Sequence, residues 1–171
     1  MRLRFVRAAR VPAAVKAAVP MAQGESVMAV AASGRTAFVV ATDRALSRVE
    51  AQDSPEVLWR LRWDQIDNAR WEPPELELDV RLEQGQHSVV IPVDHRSDLP
   101  SVTRERITSS IIVNEEADVG PGTARIVARR HSDDNRLVWR IIMGDGIDPT
   151  DEAARTAAEQ ALNDLRARLG V

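Results

Sequence analysis

His87, His95 and His131 are the residues of this chain best suited to move protons near neutral pH or to ligate a metal. Their spacing supplies neither H-x-x-x-H nor H-E-x-x-H, so no helix face presents two of them. His87 and His95, with Asp94 between them, would share an ion only if a turn folded them together. Ser88 follows His87 directly, and neighbours on a strand point to opposite faces, so the two do not form a nucleophile–base pair. No G-x-S-x-G elbow occurs. Cysteine is absent, which removes thiol nucleophiles, disulfides, iron–sulfur clusters and thiolate zinc sites. The expectation is a chain that catalyses nothing and holds no cofactor or metal.

Three further patterns have a chemical and a structural reading. Gly144-Asp145-Gly146 precedes a helix, as phosphate-cradling loops do, but the third Gly and the Lys-Ser/Thr of such a loop are missing. Asp145 and Asp148 would also repel phosphate, so a strand-to-helix turn is expected. The acidic pairs Glu115-Glu116 and Asp133-Asp134 lack the spacing of a calcium loop and read as solvated loop charges. Trp59 and Trp63 stand on one face of a predicted strand and are assigned to the core. Trp71, next to Pro73-Pro74, is a candidate contact residue.

Charge is the remaining signal. The net charge is −3, yet residues 1–20 carry Arg2, Arg4, Arg7, Arg10 and Lys16 and no acid. Residues 21–113 have a net charge of −5 and residues 114–171 of −3. Arg4, Arg7 and Arg10 are at near-helical spacing, with Phe5, Val6 and Ala9 nearby. A basic arm on an acidic body is expected to dock on protein, either its own subunit or a neighbouring one. Contact with an anionic membrane surface is the alternative. Nucleic acid is not expected, because the body is acidic and lacks interleaved aromatics. The candidate partner-binding residues are therefore Arg2, Arg4, Arg7, Arg10 and Trp71.

The elements that must position these residues follow from periodicity. Short strands are predicted at 26–32, 36–42, 45–50, 57–63, 66–72, 75–82 and 87–93, separated by turn residues. In Glu75–Leu82 the residues Leu76, Leu78, Val80 and Leu82 alternate with polar ones, the pattern of a half-buried strand. In the strand at 57–63, Val57, Trp59, Leu61 and Trp63 are expected on one face. A helix follows, capped by Ser97 or Asp98, with Leu99, Thr103 and Ile107 on one stripe. Strands at 123–130 and 136–143 come next. A final helix is expected to have Asp148 as N-cap, Pro149 at its first position and Gly170 past its end. Its apolar stripe is Ala154, Ala158, Ala161, Leu162, Leu165 and Leu169.

With 171 residues the chain suits one domain or a domain with an extension. No apolar run approaches the ~18–20 residues of a membrane span. Arg7, Arg10 and Lys16 interrupt the apolar stretch of the N-terminus, so it does not read as a secretory signal. A cytoplasmic protein is expected.

Several segments together resemble a family. Ala41-Thr42-Asp43-Arg44-Ala45-Leu46, then Leu61-Arg62-Trp63-Asp64-Gln65-Ile66 running to Ala69-Arg70-Trp71, resemble bacterial PH-like domain proteins of actinobacteria. Arg104–Ser110, Val127–Arg130 and Gly146–Pro149 are similar to the same group, so the likeness spans about residues 24–170. The resemblance implies an α+β protein: a PH-like seven-stranded antiparallel β-barrel with a capping helix, here with a C-terminal strand–strand–helix extension. The expected division is a basic arm with a short helix at 1–22, the barrel with its helix at 23–112, and a hairpin plus helix at 113–171. Eukaryotic PH domains often bind phosphoinositides through Lys/Arg in the first hairpin loop. Here that loop, Ala32-Ser33-Gly34-Arg35, has one Arg, so the property does not carry over. The family brings no reaction. The expected function is a non-catalytic interaction module that binds protein and self-associates as a dimer; the alternative is a small-ligand or lipid-surface binder.

Overall fold

The computed structural model describes residues 12–148 and 150–171. The chain separates into two compact units, one ending at Thr108 and one spanning Ser109–Val171. Each is described on its own.

The first unit is a run of antiparallel neighbours. β1 (Val27–Ser33), β2 (Ala37–Thr42), β3 (Ala45–Glu50) and β4 (Glu56–Arg62) form one sheet in that order. A 3-10 turn at Trp63–Gln65 interrupts the hydrogen-bonded ladder. Its entry is fixed by Gln65, whose Oε1 accepts from the Arg62 N–H at 2.9 Å. β5 (Ile66–Glu72), β6 (Glu75–Leu82) and β7 (Gly85–Pro92) form the second sheet. The seven expected strands thus fall into sheets of four and three. No hydrogen-bonded ladder joins β4 to β5, because the tight turn redirects the chain there.

Both sheets face one core. Val39, Leu46, Leu61 and Trp63 come from the first sheet and its exit turn, and Ile66, Leu76, Leu78, Val80 and Ile91 from the second. α2 (Leu99–Ser110) closes it with Leu99 and Ile107. The expected stripe is correct: Leu99, Thr103 and Ile107 are all buried. Ser97 Oγ accepts from the Leu99 N–H at 3.1 Å, satisfying one donor of the first turn. The alternation of β6 also holds, with Leu76, Leu78 and Val80 buried and Glu75 exposed.

The first sheet is covered on its other face too. α1 (Ala13–Ala18) lays Val15 there, followed by Val19, against Val40 and Val49. Val57 belongs to this outer cluster, which corrects the expectation that it shares a face with Trp59, Leu61 and Trp63. The cause is a β-bulge: Arg48 pairs Trp59 and Val49 pairs Val57, leaving Leu58 as an extra residue that is 51% exposed. One added residue flips the strand's phase, so β4 contributes to two clusters on opposite faces.

The second unit has three strands, not the two expected. β8 (Ile111–Asp118), β9 (Thr123–Arg130) and β10 (Leu137–Met143) form an antiparallel sheet with β9 in the middle. β8 is hidden in the sequence because Asn114, Glu115, Glu116 and Asp118 are poor strand formers, and all four are exposed. Pairing with β9 from Ile111 to Asp118 makes it a strand. α3 (Glu152–Leu169) packs Ala154 and Ala158 against Ala124, Val119 and Ile147. Its N-cap is Asp151, whose Oδ1 accepts from Ala153 and Ala154 N–H at 2.9 and 3.1 Å. Asp148, the expected cap, is occupied by the N–H and hydroxyl of Thr150 at 2.8 and 2.7 Å. Those two bonds hold its carboxyl below the usual carboxylate range. Gly170 ends the helix in the left-handed conformation, φ 73°, as expected.

Candidate functional site

Arg2, Arg4, Arg7 and Arg10 lie outside the described residues. Trp71 sits on β5 opposite Leu76, half-buried against the core, beside the exposed Pro73 and Pro74. Trp63 is a core residue, 2% exposed, and its indole Nε1–H donates to the Thr42 carbonyl at 3.0 Å. Trp59 packs against the same core from β4.

The histidines stay apart from one another in role. His87 is exposed on β7, and His95 is exposed beside Asp94 at 3.5 Å. His131 is buried, with its Nδ1 2.9 Å from Asp134 Oδ1. Among the described residues no three His, Asp or Glu side chains gather as metal ligands. Gly144-Asp145-Gly146 is a strand exit with two steric requirements. A side chain on Gly144 would collide with the Thr123 carbonyl, and Gly146 adopts φ +85°. Asp133-Asp134 belongs to the turn between β9 and β10, where Asp134 Oδ2 meets Arg136 Nε at 3.1 Å.

Glu25 is the centre of a buried ionic hub in the first unit. The Glu25 side chain is 0% exposed, and its Oε1 takes a hydrogen bond from Arg60 at 2.6 Å and from the Thr42 hydroxyl at 2.5 Å. Its Oε2 accepts from the Ala22 N–H at 2.9 Å. Burial pushes the carboxyl up, but these donors outweigh it and hold its pKa below the ordinary value. Thr42 Oγ1 also accepts from Ala45 N–H at 2.9 Å, so the hub pins the segment before β1 to the β2–β3 turn and to β4. Every strong acceptor there is occupied, which makes it a structural clasp.

The feature open to a ligand is in the second unit. Between β8 and α3 runs a groove of ≈ 330 Å³. β8 gives Glu115, Glu116 and Ala117, β9 gives Ile126, and α3 gives Ala161, Asp164, Leu165 and Arg168. The four α3 residues follow helical spacing, so they form one ridge. Ile126 and Leu165 are buried and make an apolar floor, with Ala117 and Ala161 half-buried beside them. Glu115 and Asp164 are exposed at the rim, with Arg168 Nη2 2.6 Å from Glu115 Oε2, whereas Glu116 pairs Arg125 and faces the other side of the sheet. At the neighbouring turn of α3, the Arg166 guanidinium stacks 5.3 Å from the centre of the Trp139 ring.

Glu115 and Glu116 are therefore strand residues, not loop charges, and Glu115 stands at the groove rim. Sequence reasoning missed the groove because its acids, Glu115 and Asp164, are 49 positions apart and meet only through folding. The usable signal was the conjunction of an acidic pair next to the β-branched run Ile111–Val113 with an Ala/Leu-striped helix. A wet, acidic rim over an apolar floor suits a cationic group on an apolar stem. It offers no nucleophile with an adjacent base. No family model matches this chain, and no curated protein matches it.

Proposed function

We propose that this chain is a non-catalytic, self-associating protein-interaction module, and that the β8–α3 groove is its binding surface for a cationic amphipathic peptide segment. The observation that carries the reading is the groove's composition: the rim carboxylates of Glu115 and Asp164 with one arginine, Arg168, over Ile126 and Leu165. Its size is at the lower end of ligand sites, roughly 300–1,000 Å³, and it is open, so a side-chain row fits better than an enclosed metabolite.

The first unit serves in this reading as a PH-like scaffold. Support comes from its seven antiparallel strands in sheets of four and three, one shared core and the closing helix α2. No described helix is long and apolar enough to cross a membrane. A cytoplasmic location is part of this reading, and a chain without cysteine is compatible with it.

Fluorescence polarisation tests the reading with a labelled short peptide of Arg, Leu and Ala and a counterpart with Glu for Arg. The Arg peptide is expected to bind at least tenfold more tightly. Glu115→Lys with Asp164→Lys should weaken it about 3- to 10-fold, since exposed charges contribute roughly 0.2–1 kcal/mol each. Equal binding of both peptides, or no effect of the double substitution, would sink the reading.

A further inference from the structure

Resting on the reading of the chain as self-associating, we infer that β10 is the edge through which two copies associate, each β10 pairing antiparallel with the other. The sheets of the described residues have six edges: β1, β4, β5, β7, β8 and β10. An edge strand presents a row of unpaired N–H and C=O groups, and proteins blunt it with bulges, charge or proline. Four of the six carry a bulge, and each time the extra residue is on the edge strand. It is Met28 on β1, Leu58 on β4, Asp67 on β5 and Ile112 on β8. β7 has no bulge, but it opens on Gly85, closes on Pro92 and exposes Gln86, His87 and Ser88.

β10 has only the single charge of Arg140. Leu137–Met143 pairs β9 residue for residue without a shift, and it holds no glycine, proline or acid. Val138, Trp139, Ile141 and Ile142 are strong strand formers. Ile141 and Met143 lie on the face packed by α3, with Val138, Arg140 and Ile142 on the other, and all are half-buried. A strand added at this edge continues apolar rows on both faces. β10 of a second copy is such a strand, and its own edge is equally bare.

The register follows from charge. Residues opposite one another in an antiparallel pair are both hydrogen-bonded or both not, and the two states alternate along a strand. A strand paired with its own copy therefore sets one residue opposite itself. With Arg140 on the axis, two guanidiniums would stand opposite, which is destabilising. With Trp139 there, two indoles would meet that each already carry the Arg166 guanidinium at 5.3 Å. Axes nearer either end leave fewer residues paired. With Ile141 on the axis, Arg140 stands opposite Ile142, and Trp139 opposite Met143, a favourable sulfur–aromatic contact. The outer strands of the joined sheet are then the two β8, whose Ile112 bulge and Asn114, Glu116 and Asp118 stop further addition, so the assembly closes at two copies. Only Trp139–Met143 are paired, far fewer than the ~20–30 residues a side of a standard interface, so the dimer forms at about micromolar concentration or above. The join contains no ion pair, so it is the part of the association that salt leaves.

Because the chain has no cysteine, a single introduced one can form a disulfide only between copies. Ile141→Cys in the full chain places two thiols on the axis. Ile112→Cys, on the bulged β8 edge, is the control, and Ile112 is the more accessible of the two, exposed where Ile141 is half-buried. Under mild oxidation, Ile141→Cys is expected to give covalent dimer at least tenfold faster than Ile112→Cys. Equal or slower closure overturns the inference. The unaltered chain supplies a second measurement, amide NMR spectra at about 5 and 500 µM, on either side of the range expected for so small an interface. The β10 signals are expected to shift with concentration while those of β8 stay in place. Shifts in β8 as large as those in β10 overturn the inference. If sedimentation shows a dimer while the β10 signals stay fixed, the chain self-associates through another surface and the assignment of β10 alone falls. If the chain is a monomer at the higher concentration, the reading of self-association falls with it, and the bare edge is left to an extended segment of another protein.

Discussion

Glu25 joins three parts of the first unit through one carboxylate. Replacing it with Gln keeps the size but removes the charge that holds Arg60 and the Thr42 hydroxyl. A cost of about 2–3 kcal/mol is expected, in the range for hydrogen bonds to charged groups. Chemical denaturation of both proteins at neutral pH measures it. The pH dependence has a definite sign. The folded pKa of Glu25 is lowered, so its contribution is present above the ordinary value of 4.5 and is lost as pH falls through the folded value. Glu25→Gln should therefore lose less stability than the parent on acidification below about pH 4.5. Parallel acid curves for the two proteins would refute this. Thr103 gives the opposite kind of prediction. It is 0% exposed on α2, and its hydroxyl has no hydrogen-bond partner among the described residues. Thr103→Val keeps the shape and removes that buried polar atom, so stability should stay level or rise by up to about 1–2 kcal/mol. A loss above ~1 kcal/mol in thermal or urea unfolding would mean that the hydroxyl is satisfied.

Elements were legible where side chains alternate with burial and illegible where backbone pairing decides. β6 could be read residue by residue because Leu76, Leu78 and Val80 alternate with charges. The Leu99–Thr103–Ile107 stripe and the Gly170 stop were legible for similar local reasons. β8 was not, because a polar edge strand has no periodic signature and forms through its partner β9. The Leu58 bulge was missed because the odd positions of 57–63 are all apolar, although Leu58, apolar itself, breaks the alternation where the ladder shifts by one. The start of α3 moved from Asp148 to Asp151 because Thr150 took the first carboxylate for a turn of its own. The groove was legible only as parts, since β8 had to be a strand before Glu115 and Glu116 could line anything. At the β10 exit, Gly144 donates its N–H to the Thr123 carbonyl at 2.9 Å, and an added methyl would collide with that same oxygen. Gly144→Ala should cost about 1–3 kcal/mol, as overpacking does. Gly146→Ala should cost about 1 kcal/mol, for its positive φ. A reversed order in urea unfolding would contradict this account of the turn.

At the scale of the whole chain, the basic residues of 1–20 face a remainder with a net charge of −8. The self-association proposed above should then weaken with salt. Sedimentation velocity at about 50 and 500 mM salt is expected to show a fall in average mass, and the Arg4, Arg7 and Arg10 to Gln variant should have the lower mass at both. A salt-independent mass would remove self-association through this charge. The packing of α1 adds a consequence of its own. Val15 and Val19, 0% and 3% exposed, cover the outer side of the first sheet, so β2 and β3 carry buried side chains on both faces. Amides enclosed in this way open only when the unit as a whole opens, so hydrogen exchange should be slowest in β2 and β3.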